Sequence, residues 1–245
     1  MAKKLTKHKK SNPSLRNELF GSHTRGIDKL LVFRFFKLLH GRFWGIGFIM
    51  AGVIASGIGY LIRPDLLTVN TPLSQLGSDY RTAPYFAGAM FFAAYSLWRW
   101  RLYLSRTLKN PKPIISLVGL TVFGFYLIAL FPVSWEVWPH RIHNIGVVII
   151  GTTMAITVLA DSVLSKTKRD KHINLWRSFK LLTFVLIVSG GIITYFSLDA
   201  VSKMDLILVG ELLMYVGYTF WIILKIYLGE GKKSAVARII TRLLN

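Results

Sequence analysis

The chain has 245 residues, 53% hydrophobic and only 17% charged, with a mean hydropathy of +0.47; this excludes a solvated globule and puts the membrane class first. A net charge of +20 would suit nucleic acid if the 31 Lys and Arg formed one face, but they cluster between apolar runs, so no nucleic-acid partner is expected. The absence of cysteine removes thiolate catalysis, cysteine metal sites and disulfides, and leaves the redox compartment open.

In chain order, residues 1–26 are polar, basic and without helical period, as a disordered tail would be. Residues 27–42 mix Leu, Phe and Val with Asp28, Lys29, Arg34, Lys37 and His40, the pattern of an interfacial helix or of a cytoplasmic extension of the first span. Crossing a hydrocarbon core about 30 Å thick takes about 20 apolar residues. Six windows qualify: 43–62, 85–104, 113–131, 142–163, 179–198 and 205–228. The first is expected to stay as a helix, because a basic tail precedes it and Leu61-Ile62-Arg63-Pro64 does not resemble a signal-peptide cleavage site. Gly229 and Gly231 stop the sixth window, and the following SAVARIITRLL suits a short basic amphipathic helix. The expected organisation is a basic cytoplasmic tail at 1–42, a six-helix transmembrane domain at 43–228 and a basic amphipathic tail at 229–245.

Eleven Lys and Arg precede the first window, five fall in 99–112, six in 166–180 and five from 225 onward, leaving Arg63, Arg81, Arg141 and Lys203 for the other side. Cationic segments are retained in the cytoplasm. The expected fold is therefore an all-α, polytopic bundle of six transmembrane helices in the cytoplasmic membrane. Both termini are inside, and loops 63–84, 132–141 and 199–204 are outside.

Within the spans, Gly45, Gly47, Gly52, Gly57, Gly59, Gly190 and Gly191 allow close backbone approach, the main source of helix contact in lipid. Trp44, Trp98, Trp100, Trp135, Trp138 and Trp176 fall near span ends and read as an aromatic belt. Glu211 is the deepest ionisable residue, roughly 9 Å below the outer end of its helix, and is expected to be neutral, paired or facing a wet cavity. Asp161, near the inner end of the fourth span, reads as an interfacial ion pair with Lys166 or Lys168.

The longest outer loop, TVNTPLSQLGSDYRTAPYFAGAM, is unusually polar, with Asn70, Ser74, Gln75, Ser78 and Asp79 ahead of Pro84. Its PLSQLGS precedes a helix with an early aromatic; two helices later come a Phe-Pro ending and a histidine opening a glycine-containing span. This order resembles the six-span FRAG/DRAM/SFK group and the related prokaryotic domain of unknown function 998. Pro72, Ser74, Gly77, Pro84 and Phe86 match the first motif, and Phe131, Pro132, His143 and Gly146 the second, over roughly 43–228. Eukaryotic relatives are associated with lipid remodelling of glycolipid anchors, plasma-membrane lipid organisation and autophagy, while the prokaryotic branch has no agreed activity. Relatives often carry an acidic residue near the Ser-Gly element; this chain has Gln75 there, with Asp79 on the far side of Gly77.

The expected topology places Ser74, Asp79, His143, Asn144 and Glu211 in the outer half, where they could converge on one pocket. Three functions stay open. The first is binding or organising membrane lipid through an outward-facing polar pocket. The second is lipid hydrolysis or acyl transfer, with His143 as base and Ser74, Asp79 or Glu211 as partners. The third is a scaffold for other membrane proteins through the basic tails. A metal would call on His140 and His143 with Asp79 or Glu211, but two histidines three apart beside Pro139 match no diagnostic zinc pattern. Haem would need histidines on facing helices, and none are so placed. No cofactor is expected, and the expected partners are membrane lipids and other membrane proteins.

Overall fold

The apolar windows fold into six long helices: α1 Phe43–Ile62, α2 Ala83–Thr107, α3 Pro111–Leu130, α4 Val137–Leu164, α5 Ile173–Leu198 and α6 Ile207–Tyr227. The computed structural model describes residues 41, 43–108, 110–133, 136–164, 173–198 and 205–227, all within the unit His40–Ser234. The expected tail helices, Trp135, and Lys166 and Lys168 lie outside the described residues, as does the side chain of Trp176. Every described long element is helical, as expected of an all-α bundle.

Starts follow local chemistry. Pro84, Pro111 and Pro139 sit in the first turns of α2, α3 and α4, where a missing amide hydrogen costs no helical bond. α4 therefore begins at Val137, five residues ahead of the expected span, and carries His140 in its first turn rather than in a loop.

Five helices (all but α2) are long and apolar enough to cross a membrane, and large apolar side chains such as Val53, Phe123, Val148, Leu181 and Phe220 lie exposed along them. Water would not tolerate so much exposed apolar surface, whereas lipid chains solvate it. These helices point to a membrane-embedded protein. α2 has the length, 25 residues, but Arg99, Arg101 and Arg106 near its end lower its hydropathy.

Consecutive helices pack side by side, and α6 closes the set against α1 while also touching α4. Two seams are tight because glycines face each other. A Cβ on Gly124 of α3 would lie 3.0 Å from the Gly146 carbonyl of α4, and one on Gly190 of α5 would lie 2.5 Å from the Gly210 carbonyl of α6. Thr121 and Thr153 add a hydroxyl–hydroxyl bond of 2.8 Å across α3 and α4. The α4–α5 seam is looser. Not every expected packing glycine packs: Gly57 has nothing within 4 Å, and Gly191 faces only the Met214 sulfur at 3.8 Å.

Two readings need correction. Trp100 is not part of an aromatic belt: it is fully buried and meets Trp221 edge to face at 5.2 Å. Trp98, two residues away and so about 200° round the helix, is the exposed one and lies under the Arg101 guanidinium. Asp161 is not interfacial either. It is completely buried, 2.6 Å from Lys225 Nζ of α6 and 3.1 Å from Lys180 Nζ of α5, and accepts the Trp221 indole N–H at 3.1 Å. One carboxylate thus joins α4, α5 and α6 at the end away from the long loop.

Gly190→Ala is expected to force α5 and α6 apart and to cost about 1–3 kcal/mol, lowering the unfolding midpoint in detergent, whereas Gly57→Ala leaves it unchanged. Asp161→Ala leaves two buried ammonium groups without their shared counter-charge and is expected to cost about 3–5 kcal/mol by the same measurement, more than Gly190→Ala.

Candidate functional site

The loop between α1 and α2 is built as a rigid cap. Pro64–Leu66 and Leu73–Gly77 form two 3-10 turns, and the Thr71 and Thr82 hydroxyls donate to the Leu66 and Leu76 carbonyls at 2.7 and 2.6 Å. Arg63 organises its near end: its guanidinium donates to both Asp65 oxygens at 2.9 and 2.6 Å and also pairs with Asp79. The planar fork of an arginine suits two carboxylates at once, which a lysine would not. Leu76 is buried against Gly59 of α1, and a Cβ on Gly77 would lie 3.0 Å from the Phe86 ring and 3.4 Å from Pro132.

Two bonds fasten this cap to α6. The Leu208 amide donates to the Val69 carbonyl at 3.2 Å, and the Leu73 amide donates to Glu211 Oε2 at 2.5 Å. The start of a 3-10 turn leaves its amides without partners, and the glutamate supplies a side-chain acceptor to one of them.

Beneath the cap lies a central cavity of about 120 Å³, bounded by every long helix except α5. Its walls are mainly apolar, with Phe48, Phe125, Met90 and Met154 among them; Ser74, Glu211 and Tyr215 supply polar groups. Glu211, Met214 and Tyr215 share one face of α6, since residues three and four apart lie over one another. The Tyr215 hydroxyl donates to the Ile49 carbonyl, binding α6 to α1, and a Cβ on Gly52 would collide with its ring.

Of the five residues expected to converge, the fold brings two into one wall. Ser74 and Glu211 both line the cavity. Asp79 is engaged elsewhere, by Arg63 and by the Arg81 amide at 2.9 Å. His143 is buried, but the cavity lining includes Val147, one turn further along α4, and not His143 itself. Its Nδ1 lies 2.9 Å from the Phe131 carbonyl at the end of α3. A carbonyl only accepts, so the proton is on Nδ1, and Nε2 is a buried acceptor with no hydrogen-bond partner among the described residues. The histidine thereby caps α3, whose last carbonyls lack intrahelical donors. His140 is exposed, Asn144 likewise, and among the described residues no group of three His, Asp or Glu side chains gathers as a metal site needs. Gln75 contributes its carbonyl to the 3-10 turn, accepting from the Ser78 amide at 3.0 Å.

Sequence reasoning missed Arg63, Met214 and Tyr215. Tyr215 was available as the i+4 neighbour of Glu211. Arg63 carried a signal too, as one of two cations in a cation-poor loop that also holds Asp65 and Asp79.

The Arg63 guanidinium beside Asp65 holds that carboxyl below its usual range. A carboxylate depressed on folding contributes fully above its ordinary value, about 3.9, and loses its contribution as pH falls through the lower, folded one. Hydrogen exchange of amides 63–71, corrected for intrinsic rates, is expected to stay flat from neutral pH to about pH 4 and to rise below it, and Asp65→Asn is expected to remove that rise.

No family model, no curated protein and no solved structure matches the chain.

Proposed function

We propose that the chain is a six-span protein of the cytoplasmic membrane, with both termini cytoplasmic, that binds a membrane lipid in the cavity beneath its outer loop. Three things support the topology. Lys and Arg concentrate on one side of the spans. α2 runs antiparallel between α1 and α3, and its Arg99 lies over the ring of Trp44 in the first turn of α1, so the arginines of α2 sit at an interface level and the stretch before them is what crosses. At the other end Arg141 lies over Trp138 and Arg81 over Tyr80, a second level of cations on aromatics. Membership of the FRAG/DRAM/SFK-like group is part of the same proposal.

The observation that carries the lipid reading is Glu211 in the wall of a mainly apolar cavity. A carboxylate within a membrane-length helix costs several kcal/mol unless it is paired. One amide donor, from Leu73, uses one of its oxygens. An amphiphile whose headgroup bears an ammonium or hydroxyl donor would meet the carboxylate, with Ser74 and Tyr215 beside it, and lay its apolar part against Phe48, Phe125 and the methionines. Methionine walls suit a flexible ligand because the unbranched thioether repacks easily.

The test is lipid retention by purified protein in nanodiscs containing phosphatidylethanolamine, read by mass spectrometry after detergent extraction. Glu211→Gln keeps an acceptor for the Leu73 amide but loses the charge, and is expected to lower retained lipid by about tenfold, the size of one charge-assisted hydrogen bond. Equal retention by wild type and Glu211→Gln would count against the reading.

A further inference from the structure

A groove of about 410 Å³ runs along the α4–α5 seam, from the middle of both helices toward the cap end of α5. It shares Val147, Gly151 and Met214 with the central cavity, so the two spaces meet at those residues. We infer that this groove is the lateral entrance through which one acyl chain of a bilayer lipid reaches the central cavity, with the Met214 side chain as its gate. The inference rests on the lipid reading above.

Three observations carry it. First, the glycines at the meeting point are not packing glycines. A Cβ on Gly151 would have only the Met214 sulfur within 4 Å, at 3.5 Å, and one on Gly191 would meet the same sulfur at 3.8 Å, both ordinary contacts. At Gly124, Gly146, Gly190 and Gly210, by contrast, a Cβ would press on the backbone of the neighbouring helix. Gly151 and Gly191 therefore leave room on either side of a methionine, the least rigid apolar side chain.

Second, the charged link described along the seam lies at the end away from the groove. Asp161 of α4 and Lys180 of α5 join the helices away from the cap, whereas the groove lies in the half toward it. The glycine-tight α3–α4 and α5–α6 seams make each of those pairs move as a unit. Parting α4 from α5 at the cap end thus breaks no tight seam and leaves the Asp161 junction as the pivot.

Third, the groove wall is almost wholly apolar, with Val148, Ile187, Val188 and Ile192 in it. The occupant follows from the setting: both helices are membrane-length and apolar, so what lies against the seam is hydrocarbon. The central cavity, at about 120 Å³, holds only the headgroup donor and the atoms next to it, so the length of the chain lies in the groove, which has the volume of an ordinary ligand site, about 300–1,000 Å³.

The test uses the full chain in phosphatidylethanolamine vesicles doped with a phosphatidylethanolamine carrying a diazirine at the carbonyl end of one acyl chain. Photolysis is expected to label cavity peptides containing Phe125 and Met154. Gly191→Leu is expected to cut that labelling about tenfold by filling the passage, Met214→Ala to raise it, and Gly57→Leu, on the far lipid-facing side, to leave it unchanged. If the leucine variant does not fold, Gly151→Ala and Met214→Ala apply the same narrowing and widening with smaller changes. Cavity labelling that stays equal in Gly191→Leu, Gly151→Ala and Met214→Ala overturns the entrance while sparing the lipid reading. Wild-type labelling confined to lipid-facing residues such as Phe123 overturns both. The chain has no cysteine, so Ile192→Cys reports a second copy: a disulfide-linked dimer that abolishes labelling would assign the groove to protein instead and overturn the proposal.

Discussion

Inside a bilayer a polar group has no water to turn to, so each must find its partner within the protein or bring a ligand to it. That constraint arranges this molecule. The threonines of the bundle donate back to carbonyls one turn earlier, as Thr153 does to Ile149, or to each other, as Thr121 does with Thr153. His143 closes the end of α3, Tyr215 holds α1, and Asp161 gathers two lysines and an indole from two other helices. The last three side chains are thereby also fastenings between elements that apolar contact alone would leave free to slide, because lipid tails compete equally well for an apolar face.

The same constraint separates fixed seams from a movable one. Where glycines let backbones meet, at α3–α4 and α5–α6, contact is dense and any added carbon collides. The α4–α5 seam has neither close glycine contact nor described side-chain hydrogen bonds in its cap-side half. Its one described charged link, Asp161 to Lys180, lies in the other half. Glu211 lies where the cap, α6 and the cavity meet, so a single carboxyl group both holds the loop over the bundle and borders the cavity.

The residues of the Ser-Gly and Phe-Pro-His elements take on physical roles in this frame. Gly77 gives the Phe86 ring and Pro132 room to close over the loop, Gly146 gives Gly124 room across a helix seam, and His143 caps the preceding helix. Each of these roles is architectural, and each would preserve its residue whatever the cavity holds. Ser74 and Glu211 are different, since both border open space.

Hydropathy and chain chemistry alone determined the helices: the apolar windows begin and end within a few residues of α1 to α6, because helix length and hydrocarbon thickness impose the same count. The place of Glu211 inside a membrane-length helix, where it is half-buried, was legible too, from its depth in an apolar run. What sequence could not reveal was which groups face each other. Trp98 and Trp100 look alike in a window but point to opposite sides of α2; Lys180 and Lys225 count as flanking charges until α5 and α6 turn them onto Asp161. Asp79 and Glu211 are equally carboxylates in the sequence, and only the folded loop binds one to Arg63 and sets the other against the cavity. The reason is that periodicity fixes a residue's depth and length along its own helix, while the rotation of one helix against another is decided by tertiary contacts far apart in the chain.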